Sequence, residues 1–143
     1  MSEMNFEQFS QFAYHGSVDY RDRQRYLKFV DMINRYIEKD HIAAFYPKNL
    51  FVDENDLTIY IFQEHHFSIL QETNNGSMSL VTYKYRDITK LELIYSDERQ
   101  YSNLKVMIGE NDFIFNPHED TNRAWAYVFG KLIDDMYKLL CQK

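Results

Sequence analysis

Hydrophobic positions along this chain change period twice. Phe6, Phe9 and Ala13 recur at helical spacing, which predicts a short helix over residues 3–13. His15, Gly16 and Ser17 interrupt it, because glycine is costly inside a helix. Tyr26, Phe29, Val30, Ile33 and Ile37 then share one face of a second helix, over residues 19–39. Arg25, Lys28, Asp31, Arg35 and Glu38 share the other. Asp31 and Arg35 have the favourable acid-before-base spacing of four. Residues 41–46 carry no clear period. Pro47 biases Tyr46 away from helix, so the helical part is expected to end before it.

From there the pattern shortens to that of strands. Residues 57–62 alternate β-branched and aromatic side chains. Residues 63–66 fit a tight connection, and residues 67–71 return. Asn74, Asn75 and Gly76 suit a hairpin turn, since Asn and Gly tolerate positive φ. Residues 78–85 and 88–95 read as two more strands, parted near Arg86 and Asp87. A polar loop is expected over 97–103. Residues 104–108 alternate, 109–112 turn, and 113–115 make a last strand. Residues 50–52 offer one more at the start.

The period then returns to 3.6 for a helix over residues 120–140. Asn116 or Asp120 can cap it, and Pro117 suits its first turn. Its apolar stripe is Trp125, Val128, Phe129, Leu132, Ile133, Met136, Leu139 and Leu140. That stripe is wide enough to pack on a sheet, with Trp125 and Leu132 expected to be buried. Tyr127, Lys131, Asp134 and Lys138 mark the opposite side.

Composition narrows the class. The chain has 143 residues, 45% hydrophobic and 27% charged, with a net charge of -6. One domain of this length can bury an adequate core without metals or disulfides. The single cysteine, Cys141, excludes an intramolecular disulfide, and a reduced cytoplasm is the simplest setting. The acidic, polar start does not resemble a targeting segment. No apolar run approaches the length needed to span a bilayer.

Helices first, then six to seven antiparallel strands, then one closing helix define an α+β fold. The sheet would be bent or would form a partly open barrel. A local stretch carries a further likeness: Thr82, Tyr83, Lys84, Tyr85, Arg86, Asp87, Ile88, Thr89, Lys90 and Leu91. Here a strand ends, a polar corner turns the chain into a second sheet, and Ile88 and Leu91 point to the core. This stretch and the element order resemble bacterial pleckstrin-homology-like (PH-like) domain proteins of uncharacterised function. The resemblance covers residues 48–140. It implies one domain over 1–143, with a helical segment at 1–46 and PH-like strands plus the closing helix at 47–143. The alternative is a helix-grip fold, with a ligand cavity beneath the last helix.

Members of the PH-like class that bind phosphoinositides use Lys and Arg around the first hairpin. Here no Lys or Arg lies between Lys48 and Lys84, and Asp53, Glu54, Asp56, Glu64 and Glu72 fall in that span. Such a surface repels anionic head groups, so no anionic-lipid binding is expected. The cations of the second helix, Arg21, Arg23, Arg25, Lys28, Arg35 and Lys39, alternate with acids, unlike a nucleic-acid-binding helix. His65 and His66 are adjacent, and strand neighbours point to opposite faces. No third ligand follows at metal-binding spacing. His118 belongs to the polar start of the last helix. No nucleophile motif or phosphate-cradling glycine loop is present, and Cys141 lies at the chain's end.

No catalytic, cofactor or metal residue is therefore assigned. The expected function is a non-enzymatic cytoplasmic interaction module for an unknown protein partner, without nucleic acid. Tyr83, Tyr85, Tyr127, Arg25 and Arg35 are its candidate surface. Two modes are open: a partner strand or helix added to the sheet near the last helix, or contact through the N-terminal helices, which can also mediate a homodimer. The rival class is a small ligand-binding or enzymatic domain, in which His65, His66 or His118 and an acid converge on a cavity.

Overall fold

A computed structural model of the chain describes residues 3–16, 20–52 and 55–143, the side chains of residues 20 and 21 excepted. Two helices come first, α1 (Phe6–His15) and α2 (Tyr20–Tyr36). Seven strands follow: β1 (Ala44–Lys48), β2 (Thr58–Phe62), β3 (His66–Glu72), β4 (Met78–Lys84), β5 (Lys90–Ser96), β6 (Tyr101–Ile108) and β7 (Asn111–Phe115). The last element is α3 (Ala126–Cys141). All strand pairs are antiparallel. They form a four-stranded sheet, β1-β2-β3-β4, and a three-stranded sheet, β5-β6-β7. The architecture is the expected α+β arrangement, with the two sheets not joined into a closed barrel.

Strands β1, β2 and β3 of the four-stranded sheet are covered on both faces. The sheet's outer face carries Phe45, and its register partner Ile61 points the same way. Phe6 and Phe9 of α1 pack on Phe45 with ring centroids 6.0 and 5.9 Å apart. Its inner face carries Tyr46, Tyr60, Phe67 and Tyr83. These meet Phe113 and Phe115 of β7, which lies across the strands. The helices before the strands are thus a full layer of the core: Phe9, Ala13, Phe29, Val30 and Ile33 are all buried.

The three-stranded sheet is covered on one face only. Leu104, Val106 and Phe115 turn inward, while Lys105 and Ile114 turn outward. α3 closes the space between the sheets, against β6 and β1. Phe129, Ile133 and Met136 are fully buried there, and Phe129 packs 5.1 Å from the Tyr46 ring. Phe129, Ile133 and Met136 occupy the side of α3 where a helix-grip cavity would lie. Among the described residues no strand precedes α1, as that fold would require.

Several boundaries differ from the sequence expectation. The helical segment ends before residue 46, since β1 already begins at Ala44. Pro47 is accommodated within this strand. Gln63 N–H donates to His66 O, so odd-numbered residues of β2 face β3 and even-numbered ones face β1. Pro47 lies opposite Ile59, where its backbone nitrogen points away from the ladder. Residues 50–52 are not a strand. Asn49 and Phe51 adopt φ of 72° and 67°, which turns the chain and leaves Leu50 a single bridge to Thr121. β6 starts at Tyr101, inside the expected polar loop, because Ser102 and Leu104 face the core. β7 likewise starts at Asn111, after a tight turn with Gly109 at φ 60°.

The last helix starts at Ala126, later than expected. Neither Asn116 nor Asp120 caps it. Asn116 Oδ1 accepts from His118 N–H at 2.9 Å, holding a turn over 116–120. Asn122 Oδ1 accepts from Trp125 N–H at 3.1 Å just before the helix. Trp125 is buried against Phe12 and Phe51. Leu132 is only half-buried: it lies on the flank of the stripe, facing a surface groove beside Met4 and Ala44.

Candidate interaction groove

The polar side of α3 meets the β5–β6 hairpin in an open groove of about 410 Å³. Tyr127, Lys131 and Asp134 lie along one helical face, at spacings of four and three. Tyr95 and Tyr101 come from the two strands of the hairpin, Arg99 from its tip, and His118 and Arg123 from the segment before α3. Local bonding fixes this geometry. Gln100, at φ 54°, donates its N–H to Ser96 O at 2.7 Å and closes the hairpin. His118 packs at a tilt against Tyr101, with ring centroids 4.2 Å apart. Lys131 Nζ sits 5.2 Å from the centre of the Tyr127 ring, a cation–π contact.

The groove is basic on an acidic protein. Arg99, Arg123 and Lys131 line it against the carboxylate of Asp134. Tyr127 is 74% exposed and Tyr95 is 56% exposed, a large aromatic surface left open to solvent.

The segment before α3 also holds a buried polar junction. Asp120, 3% exposed, accepts at Oδ2 from Tyr46 Oη (2.7 Å) and from Asn116 N–H (2.8 Å). Lys48 Nζ stands 3.7 Å from its Oδ1 and also donates to Ile114 O. Asn49 N–H donates to Asp120 O, and Thr121 Oγ1 to Leu50 O. The junction ties the end of β1 to the segment leading into α3. Burial raises the Asp120 pKa above the usual carboxylate value; Lys48 and the bonds from Tyr46 and Asn116 oppose that only in part. Burial, followed by the nearby Asp120 charge, raises the Tyr46 phenol well above its usual value. The same causes, with the nearby Tyr83, push Tyr60 up to about 12. The bonds of Asp120 all run within this junction, to Tyr46, Asn116, Lys48 and Asn49.

The five candidate surface residues do not converge. Tyr127 alone lies on the groove. Arg25 pairs with Asp56 at 3.3 Å and Arg35 with Asp31 at 3.5 Å. Tyr83 is half-buried, stacked on Phe67. Tyr85 is buried rather than exposed. Its hydroxyl donates to Gln63 O at 2.5 Å, pinning the corner between the sheets, and burial raises its pKa. The described histidines do not meet at one site: His65 and His66 share an open pocket with Lys84, Tyr85 and Arg86, while His15 lies beside Tyr14, His41 beside Glu38 and His118 on the groove. No cluster of three metal-ligating side chains occurs among the described residues.

The acidic span between Lys48 and Lys84 is partly neutralised by α2, through Arg25–Asp56 and through Lys28–Glu72 at 3.7 Å. Asp53, Glu54, Ser17 and Asp19 lie outside the described residues, and Arg21 has no described side chain. Sequence reasoning had missed Arg99, Arg123, Tyr95 and Tyr101 as members of one site. They come from separate segments; only the polar face of α3 was a visible signal.

Residues 5–131 match a family described as "Protein of unknown function (DUF3908)". The chain belongs to the DUF3908 family. The DUF3908 match runs from just before α1 into the first turns of α3, and so takes in both sheets and most of the groove. No curated protein and no solved structure matches the chain. Among the described residues no helix is long and apolar enough to cross a membrane.

Proposed function

We propose that this chain is a non-enzymatic interaction module of the PH-like class, acting in the cytoplasm, which docks an acidic segment of a partner protein in the groove beside α3. The observation that carries this reading is the groove's lining: three cations and two exposed tyrosines on a protein of net charge -6. Charge complementarity selects an acidic partner and speeds its approach. Tyr95 and Tyr127 supply the rigid aromatic area found at interface hot spots. Phe129, Ile133 and Met136 are buried on the inner side of α3, and His118 lies on a different surface from His65 and His66, which supports binding over a shared catalytic cavity beneath the last helix.

Selection from a random peptide display library tests this directly, comparing the wild-type protein with Arg123→Glu/Lys131→Glu. Wild type should enrich sequences rich in Asp and Glu, and the double variant should lose them. Enrichment that is absent, or equal for both proteins, sinks the reading.

A further inference from the structure

Four strand edges border the two sheets, and three carry protection against pairing with another chain. β1 has Pro47, whose backbone nitrogen faces outward. β5 has Lys90 and Glu92. β7 has Asp112, and the Lys48 ammonium covers its Ile114 carbonyl. β4 is different: Met78, Ser79, Leu80, Val81, Thr82 and Tyr83 are uncharged, and only its last residue, Lys84, carries a charge.

Pairing with β3 fixes which β4 groups are free. Tyr85 N–H donates to His65 O at 3.1 Å and Thr73 N–H to Ser77 O at 2.7 Å, both on the register that sets Ile69 opposite Val81. Hydrogen-bonded pairs alternate along an antiparallel ladder. The odd-numbered residues of β4 therefore bond to β3, while Met78, Leu80, Thr82 and Lys84 turn N–H and C=O outward. Among the described residues the outward backbone groups of Met78, Leu80 and Thr82 have no partner, while Lys84 leads into the 3-10 turn of residues 85–87. The side chains flanking them are incompletely covered: Val81 is 41% exposed, and Met78, Leu80 and Tyr83 are half-buried.

We propose that β4 pairs antiparallel with β4 of a second copy of this chain, joining the two four-stranded sheets into one. A twofold axis at Val81 sets Leu80 against Thr82 of the second copy and Met78 against its Lys84. Outward-facing residues then meet outward-facing residues, as the ladder requires. Each strand's one charge lies opposite a methionine instead of its twin. Val81 meets Val81 as a non-hydrogen-bonded pair, where side chains come closest. A twofold interface needs this self-complementarity, and β4 supplies it without repulsion. That match selects a second copy over an unrelated strand.

Sedimentation equilibrium of the full chain over a wide concentration range tests the assembly, with amide exchange read at both ends of that range. Wild type should be a dimer that dissociates on dilution. Val81→Lys places like charges on the axis, and Thr82→Pro removes an outward N–H that β3 does not use; both should be monomeric at concentrations where wild type is paired. The Leu80 and Thr82 amides should be protected only in the dimer, and those of Ser79 and Val81 at every concentration. A wild-type monomer throughout, a dimer that survives Val81→Lys, or Leu80 and Thr82 exchange independent of concentration overturns the proposal.

Discussion

The two sheets bury their residues by different rules. In β2 four consecutive residues, Ile59, Tyr60, Ile61 and Phe62, are buried; in β6 burial alternates through Ser102, Leu104 and Val106. Both stretches are strands with the same pleat, and successive side chains point to opposite faces in each. The difference comes from what lies outside. The four-stranded sheet has α1 and α2 on one face and β7 on the other, while the outer face of the three-stranded sheet meets solvent. A sheet covered twice reads as a continuous apolar run, and a sheet covered once reads as alternation.

The sharpest way to break this comparison is to truncate one outward isoleucine on each sheet. Ile61, under α1 and α2, is fully buried, and Ile114 on β7 is 48% exposed. Ile61→Ala should cost about 2–5 kcal/mol, the range for a core cavity. Ile114→Ala should change stability by no more than about 0.5 kcal/mol, as exposed substitutions do. Urea midpoints of the two variants decide it. Equal costs would mean that the N-terminal helices decorate the sheet without sealing it.

The fold was legible where period and turn chemistry agreed. Asn75 and Gly76 stand at a hairpin turn, with Gly76 at φ 86°, and Phe129, Ile133 and Met136 form the buried stripe of the last helix. Boundaries failed where a tertiary contact overruled a local preference. Pro47 stands in a strand because its nitrogen faces away from β2. Asp120, a natural helix cap by type, instead accepts from Tyr46, 74 positions earlier in the chain. The role of α1 and α2 was not legible, because nothing in an amphipathic helix names the face it will cover. The groove was legible only in Tyr127, Lys131 and Asp134, since Arg99, Tyr101 and Arg123 come together through the hairpin and the turn before α3.

A smaller effect separates the buried junction from the apolar layers around it. Asp120→Asn keeps an acceptor for Tyr46 but turns an amide NH2 toward the Lys48 ammonium, donor against donor, and should cost about 1–3 kcal/mol at neutral pH. In the unfolded chain an aspartate titrates near ~3.9. In the folded protein burial holds Asp120 higher. Its titration therefore contributes stability that is complete below the unfolded value and is lost as pH rises through the folded one. Wild type should thus gain on Asp120→Asn as pH falls from neutral to about 4. Paired melts across that range check the sign. A constant difference would mean that the carboxylate titrates alike in both states.

The smallest effect concerns what holds the helices on the four-stranded sheet. Among the described residues two ion pairs cross that contact, Arg25–Asp56 and Lys28–Glu72. They look like a charged clasp between the basic helix and the acidic strands. Their exposure argues against a large role: Asp56 is 91% exposed and the Lys28 side chain 51%. Exposed pairs are screened and are worth about 0.2–1 kcal/mol. Phe9, Phe29 and Ile33, fully or almost fully buried at the same contact, remove far more apolar surface from water. Lys28→Ala should therefore lower the urea midpoint only slightly, and that difference should vanish at high salt. Amide protection in α2 should be unchanged in the variant. If Lys28→Ala instead frees α2 to exchange, or if molar salt alone does so, then charge and not apolar burial attaches the helical layer, and the contrast between the two sheets has another cause.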